Sequence, residues 1–185
     1  MKKVSLFFLI VLVVTVSLAF AQGFRNLRAR LIGFEEVAAV SSVASGNFNA
    51  TINAAETEIA YSFSYANLEG NVQQAHIHLG QRSVNGGISV FLCSNLGNGP
   101  AGTQACPPPP ATITGTITAA DVSPNVPATA AARAQGLNTG EFAELVRAIR
   151  AGKTYANVHS DKFPGGEARG QIRAGGGHED HGDDD

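Results

Sequence analysis

Apolar side chains alternate with polar ones along two neighbouring segments of this 185-residue chain, and this pattern constrains the fold more than any other feature. Segment 46–53 places Phe48, Ala50 and Ile52 at every second position, and segment 59–65 repeats the pattern. Because successive side chains of a strand point to opposite sides, such alternation is typical of antiparallel strands with one buried face. The short connection between the two segments has the length of a hairpin loop, so the sequence predicts a hairpin here.

Six further segments have the length and the apolar or β-branched content of short strands. They are 24–31, 72–79, 88–92, 111–117, 154–159 and 168–174. Residues 35–45 and 121–136 are interpreted as a connecting loop and an irregular connection. The sequence therefore predicts an all-β fold, an antiparallel β-sandwich or flattened barrel of about eight strands.

One short helix is predicted between Thr139, a plausible N-cap, and Gly152, which ends it. Its apolar side chains follow the i, i+3, i+4, i+7 spacing of an amphipathic helix, and they are Phe142, Leu145, Val146 and Ile149. We expect this helix to cover one opening of the β structure with its apolar stripe facing inward.

The amino terminus has the pattern of a secretory signal peptide. Lys2 and Lys3 precede an apolar run that ends at Phe20, and a small residue, Ala21, stands where cleavage is expected. Residues 1–21 are therefore predicted to be removed, which makes the protein secreted, periplasmic or extracellular. The alternative is an uncleaved membrane anchor, but the run of roughly 17 residues is at the lower limit of length for a spanning helix. No later segment is predicted to span a membrane.

Charge is low in the predicted domain, residues 22–174, and concentrated in the predicted tail, residues 175–185. Without the two leader lysines the chain carries 11 basic and 15 acidic residues, and five of the acids lie in the tail. The domain offers no basic patch, which argues against a nucleic-acid partner. The tail lacks apolar side chains and is predicted to be a disordered, solubilising segment. The alternative is that His178 and His181, which lie among carboxylates, bind divalent metal loosely.

The chain contains two cysteines, Cys93 and Cys106. An even number of cysteines in an exported protein usually indicates a disulfide, and a loop of this size would stabilise the fold by about 3 kcal/mol. A cysteine metal site, the alternative, would need more ligands nearby than the intervening loop contains.

Three histidines fall on predicted strands. His76 and His78 are two residues apart and project to one face, and His159 lies on a distant strand that could pack beside them. Three imidazoles with an open position suit copper or zinc, at bonding distances of about 2.0–2.1 Å. The hypothesis is that these three residues bind one metal ion.

Nearby charged residues allow a second interpretation of the same histidines. Under the metal hypothesis Asp161, Glu167 and Arg169 would surround the ligands, and Asp161 or Glu167 would supply a carboxylate ligand or hold an imidazole in one tautomer. Under the alternative the histidines form a structural polar cluster, and Arg169 is an ion-pair partner of Glu167 or Asp161. The sequence leaves both open.

Several of these motifs together resemble the CHRD domain, the module named after chordin. They are segment 75–78, the Gly-rich turn at 85–87, the helix end at 149–153, and segments 155–160 and 164–170. The resemblance covers roughly Arg28 to Arg173. A departure is Ala168, where the family commonly carries a larger aliphatic residue, so the last strand is expected to be slightly underpacked.

The resemblance implies an all-β extracellular module that acts by binding, with an extracellular or envelope protein or surface as its partner, or as a structural element. It implies no catalytic activity. The His-x-His strand is also locally similar to that of copper/zinc superoxide dismutases, but the fourth histidine and the bridging aspartate pattern of that family are missing.

Motifs of common hydrolases and phosphate-binding enzymes are absent from the sequence. It has no Gly-x-Ser-x-Gly elbow, no His-Glu-x-x-His helix and no phosphate loop with lysine. The first functional hypothesis is therefore a binding or structural module without catalysis. The alternative is a copper or zinc protein, with redox activity as its one route to catalysis.

Overall fold

The computed structural model describes residues 25–175. The predicted signal peptide and all but the first residue of the predicted tail lie outside the described residues. The strands are β1 (Asn26–Ile32), β2 (Ser45–Ile52), β3 (Ile59–Ala66), β4 (Val72–Leu79), β5 (Gly87–Ser94), β6 (Ala111–Ile117), β7 (Thr154–Ser160), β8 (Ala168–Gln171) and β9 (Arg173–Ala174). The helices are α1 (Ala130–Ala134) and α2 (Phe142–Arg150), and 3-10 turns occupy Gly33–Glu35, Ala119–Asp121 and Pro127–Thr129.

All strand pairs are antiparallel and form one sheet in the order β5-β4-β7-β8-β1-β2-β3-β6, with β9 beside β1. Its two edge strands approach each other, since the side-chain amide of Gln104 donates to Leu92 O of β5 and to Thr114 O of β6. The sheet is therefore a nearly closed flattened barrel, which confirms the predicted fold class.

The core lies inside this barrel and is built from alternate residues of every long strand. Phe48 and Ile52 of β2 and Ile59 and Phe63 of β3 are almost completely buried, as the alternation predicted. On β4 the residues that face the core are Ala75 and Ile77, and on β7 they are Ala156 and Val158.

The predicted helix is confirmed as α2, and its four apolar residues are buried. It begins later than expected, because Thr139 is not its N-cap: the Thr139 hydroxyl donates to Ser123 O, and Glu141 precedes the first turn. A second helix, the five-residue α1, lies within the segment that was predicted to be irregular. Of the helices in residues 25–175, none has the length and apolar character to span a bilayer.

Cys93 at the end of β5 and Cys106 in the following loop form the predicted disulfide. Asn95 fastens the same loop, because its amide donates to Val72 O and Cys106 O while its oxygen accepts the Cys106 N–H. The loop is thereby held against β4. The last predicted strand is divided into β8 and β9 at Ile172, which is buried and donates its N–H to Thr154 O.

Candidate metal centre

Strands β4 and β7 bring the three histidines together on the outer face of the barrel. In their antiparallel register Gln74 lies opposite His159 and His76 lies opposite Asn157. Because side chains alternate, His76, His78, Asn157 and His159 share the face that points away from Ala75 and Ile77. The expectation that distant strands would place the three imidazoles side by side is thus met in the geometry.

The three imidazoles form a compact and buried group. Each residue contributes one ring nitrogen to a set of three that lie within 4.8 Å of one another. The residues are also almost fully buried, with 0%, 7% and 6% of the surface of His76, His78 and His159 exposed. His76 Nδ1 lies 3.3 Å from His159 Nε2. This contact is a hydrogen bond when His76 Nδ1 carries its hydrogen. Without that hydrogen the spacing suits a shared ion, because two nitrogens bound to one tetrahedral zinc ion are separated by about 3.4 Å.

Loops close the outer face over these rings and also select their tautomers. His78 Nδ1 lies 2.9 Å from Gly86 O, and His159 Nδ1 lies 3.0 Å from Pro164 O. A carbonyl oxygen can only accept, so in each ring Nδ1 carries the hydrogen and donates it. The Nε2 of both residues consequently presents a lone pair, which is the arrangement found in metal-binding histidines held by backbone carbonyls.

Ring nitrogens in this cluster lack partners that a purely structural role would supply. Among the described residues, His76 Nε2 and His78 Nε2 are buried and have no hydrogen-bond partner. Leaving a buried polar atom unpaired costs about 1–3 kcal/mol. The lone pair of His159 Nε2 also faces Asn157 Oδ1 at 3.0 Å. Two acceptors repel, and either a half-turn of the Asn157 amide or a cation between them relieves this contact.

Burial keeps all three imidazoles neutral at physiological pH. It lowers the pKa of His78 to about 3 and that of His159 to about 4. The pKa of His76 is held well below its usual value by burial first and then by the neighbouring His159 and His78. Neutral imidazole is the form that binds metal ions, so the cluster is ready to act as a ligand set without first losing protons.

A stack of three side chains supports one edge of the cluster. The His78 ring lies parallel to the Tyr155 ring at 4.7 Å between centroids, and the guanidinium carbon of Arg169 lies 3.4 Å from the centroid of Tyr155. Arg169 is almost fully buried and donates to Gln81 O, Val84 O and Asn85 Oδ1. Arg169 thus joins the loop over the cluster to the ring that packs on His78.

The charged residues named from the sequence take other places than expected. Asp161 is exposed and accepts from the backbone and side-chain N–H groups of Asn71. Glu167 is buried, and its Oε1 accepts from the Ser42 hydroxyl and the Glu69 N–H. Within residues 25–175, the hydrogen bonds of Arg169 go to neither of them, so its predicted ion pair is wrong. The close approach of β8 to the loop at 81–85 directs the guanidinium there instead.

Two residues near the cluster were missed by the sequence analysis. The side chain of Asn157 lies beside the Glu36 carboxyl group and approaches the rings of His78 and His159. Glu36 is buried, which raises its pKa to about 7, and its Oε1 has no partner among the described residues. Asn157 could have been found from its position two residues before His159. Glu36 lies in a segment without periodicity, and no sequence signal marked its burial.

The family model of the CHRD domain matches residues 27–172, which include every residue of the cluster. No curated protein and no solved structure matches the chain.

Proposed function

The chain belongs to the CHRD domain family, and we propose that it is an exported module that binds one transition-metal ion, copper or zinc, through His76, His78 and His159. The residues supply three neutral imidazoles in a buried space, and a fourth coordination position is left for water or another small ligand. Imidazole ligands suit zinc and copper, and Cu²⁺ binds more tightly than Zn²⁺ to most nitrogen sites.

One observation carries this proposal. Backbone carbonyls at Gly86 and Pro164 hold the Nδ1 hydrogens of His78 and His159, so that the Nε2 atoms of both rings present lone pairs beside His76. Of these two atoms, His78 Nε2 has no hydrogen-bond partner among the described residues. A structural polar cluster would be expected to satisfy these atoms, because unpaired buried groups destabilise a fold. A bound cation would give the His78 and His159 lone pairs a shared partner, with one nitrogen of His76 as the third ligand.

Metal content of the purified chain tests the proposal. The protein is prepared without a polyhistidine tag, incubated with equimolar Zn²⁺ or Cu²⁺, desalted and measured by mass spectrometry of the metal. We expect close to one ion per chain, and loss of that ion in His78→Ala and in His78→Gln. The Gln variant retains a side chain of similar length, and circular dichroism establishes that each variant is folded.

The predicted tail needs its own control, because His178 and His181 lie among carboxylates. In the double variant His178→Ala/His181→Ala the ion should be retained. Retention in the His78 variants together with loss in the tail variant would overturn the proposal, and so would the absence of tightly bound metal in the wild-type chain.

A second role, binding an extracellular or envelope partner, is favoured by a different observation. Phe34 and Val43 are 68% and 74% exposed, and both lie in the segment between β1 and β2. Exposed aromatic and aliphatic side chains are common at protein interfaces. If this segment binds a partner, Phe34→Ser should weaken the binding of that partner while Val84→Ser, which changes an exposed residue outside the segment, should not.

A further inference from the structure

Glu36 is a buried carboxylate connected to the three-histidine cluster through one side chain. The Asn157 amide lies beside the Glu36 carboxyl group and the His78 ring, and its Oδ1 lies 3.0 Å from His159 Nε2. Asn157 therefore links the carboxylate to two of the proposed ligands. Among residues 25–175, Glu36 is the acidic residue that Asn157 brings into contact with the histidine cluster.

The space around Glu36 is built to hold its carboxylate. Gly166 lies against it, and a side-chain carbon at residue 166 would fall 2.4 Å from Glu36 Oε1. Glu36, Gly166 and Lys162 also line a surface depression of about 320 Å³. One side of Glu36 thus faces the amide that reaches the histidines, and the other borders a space through which a proton can leave to solvent.

The charges that face Glu36 come from several elements. Arg169 on β8 attracts it, and Tyr155 on β7 interacts with it. Glu35 is its neighbour in the chain and pairs with Arg82 at 3.4 Å. Lys162, in the same depression, pairs with Glu69. Arg169 is the buried cation of this group, while Lys162 and Arg82 are largely exposed and already bound to other carboxylates.

A bound dication would add two positive charges to the buried region around Glu36. Three neutral imidazoles contribute no negative charge, so the ion and Arg169 together would place three positive charges in a buried region. Uncompensated charge is expensive away from water. Burial raises the pKa of Glu36 to about 7, so that the carboxyl holds its proton in the mildly acidic range until a cation favours its release.

We propose that Glu36 is the counter-charge of the metal site, and that a dication entering the three-histidine cluster displaces the Glu36 proton into the depression. The metal–nitrogen bonds form at the imidazoles, the carboxyl O–H bond breaks, and one proton passes to solvent while the carboxylate remains beside Asn157. This inference rests on the proposed metal-binding function. It assigns Glu36 a positioning role through charge, and not that of a ligand.

Calorimetric titration of the full chain with Zn²⁺ tests this role. Titrations at pH 6 in buffers of different ionisation enthalpy give the number of protons released for each ion bound. For the wild-type chain we expect close to one proton from Glu36. In Glu36→Gln the number of protons released for each ion should be lower than in the wild-type chain by about one. Its zinc affinity should fall by about 10–100-fold, the range found when a group that supports metal ligands is removed.

Two further variants separate charge from shape. Glu36→Asp retains the carboxylate and should recover part of the proton release and of the affinity. Glu35→Gln removes the neighbouring acid, which pairs with Arg82 at the surface, and should leave both quantities unchanged. Unfolding curves measured beside the titrations identify any variant that is misfolded.

The outcomes distinguish this inference from the function beneath it. A wild-type chain that binds no zinc overturns the proposed function itself. Zinc binding with the same affinity and proton count in the wild-type chain and in Glu36→Gln overturns only the counter-charge role. Equal losses in Glu36→Gln and Glu35→Gln would also overturn it, because a general field of negative charge would then explain the effect.

Discussion

The two faces of strands β4 and β7 are made from alternating residues of the same segments, yet they are built by different rules. The inner face presents Ala75, Ile77, Ala156 and Val158, all of which are completely buried in the apolar core. The outer face presents His76, His78, Asn157 and His159, which are nearly as buried but are polar. The two faces of these strands are therefore buried to a similar degree, but one is apolar and the other is polar.

This contrast shows that buried groups that lower the stability of the fold lie on the outer face of β4 and β7. Every inner residue gains free energy when it leaves water, by about 25 cal/mol for each Å² of apolar surface. On the outer face, the Nε2 atoms of His76 and His78 leave water without gaining a partner among the described residues. Natural proteins accept such a cost mainly at functional sites, which is why the outer face is the proposed site.

Acidification should produce the largest difference between the faces. The folded-state pKa of each histidine lies below its unfolded value of 6.5, so the unfolded chain binds more protons as pH falls below 6.5. Each extra proton lowers the free energy of unfolding by about 1.4 kcal/mol per pH unit. The metal-free protein should therefore lose stability steadily from pH 6.5 towards pH 4.

Glu36 acts in the opposite direction in that experiment. Its pKa is raised from 4.5 to about 7 by burial, so its contribution is greatest below pH 4.5 and is lost as pH rises through 7. One carboxyl opposes three imidazoles, and the net decrease in stability should remain. Urea denaturation with a chelator present, at intervals of half a pH unit, measures the effect. A free energy of unfolding that stays constant from pH 6.5 to pH 4.5 would contradict the assigned burial of the histidines.

Truncating the inner face should give the next largest effect. Ile77→Ala removes a fully buried side chain from the core and should lower the free energy of unfolding by about 2–5 kcal/mol. The metal affinity of the folded protein should change little, because Ile77 points away from the histidines. Denaturation and zinc titration of the same preparation compare the two quantities, and a large loss of affinity in folded protein would show that the faces are coupled.

Metal binding at the outer face should raise the free energy of unfolding by somewhat less than Ile77→Ala lowers it. An ion that binds only the folded state raises the free energy of unfolding by about 2.7 kcal/mol when its free concentration is 100 times the dissociation constant. The melting temperature should therefore rise with zinc and return to its starting value with a chelator. In His159→Ala it should no longer respond to zinc, whereas in the His178→Ala/His181→Ala variant it should respond as in the wild-type chain.

The smallest effect should come from making the outer face resemble the inner one. His76→Leu replaces a ring that has an unpartnered nitrogen with an apolar side chain, beside the Phe91 ring at 4.6 Å. The stability of the metal-free protein should stay within about 1 kcal/mol of the wild-type value or increase, because removing the unpaired His76 Nε2 offsets the loss of the 3.3 Å contact with His159 Nε2. Stabilisation by zinc should disappear. A loss of several kcal/mol without metal would instead assign His76 a structural role.

The sequence predicted the strands and the grouping of the histidines for the same physical reason. Side chains repeat every two residues on a strand, so His76 and His78 had to share a face, and the alternation of segments 46–53 and 59–65 had to bury one side. The disulfide could also be predicted from the sequence, because an even number of cysteines in a chain inferred to be exported is enough to expect one.

The features that sequence reasoning missed depend on contacts between distant segments. Glu36 follows a 3-10 turn in a segment without regular spacing, and its burial arises only when that segment packs on Asn157 and Arg169. The position of the Arg169 guanidinium is decided by the carbonyls of the loop at 81–84, which no local pattern identifies. Helix α1 has five residues, too few for a periodic apolar pattern to emerge.

The parallel stack of Tyr155 on His78 has a practical consequence for spectroscopy. The chain has no tryptophan and only three tyrosines, so its ultraviolet emission comes from Tyr61, Tyr65 and Tyr155. One of these three fluorophores is in direct ring contact with a proposed ligand. Paramagnetic Cu²⁺ bound at the cluster would quench that fraction of the emission and diamagnetic Zn²⁺ would not, so tyrosine emission would report which of the two ions had bound.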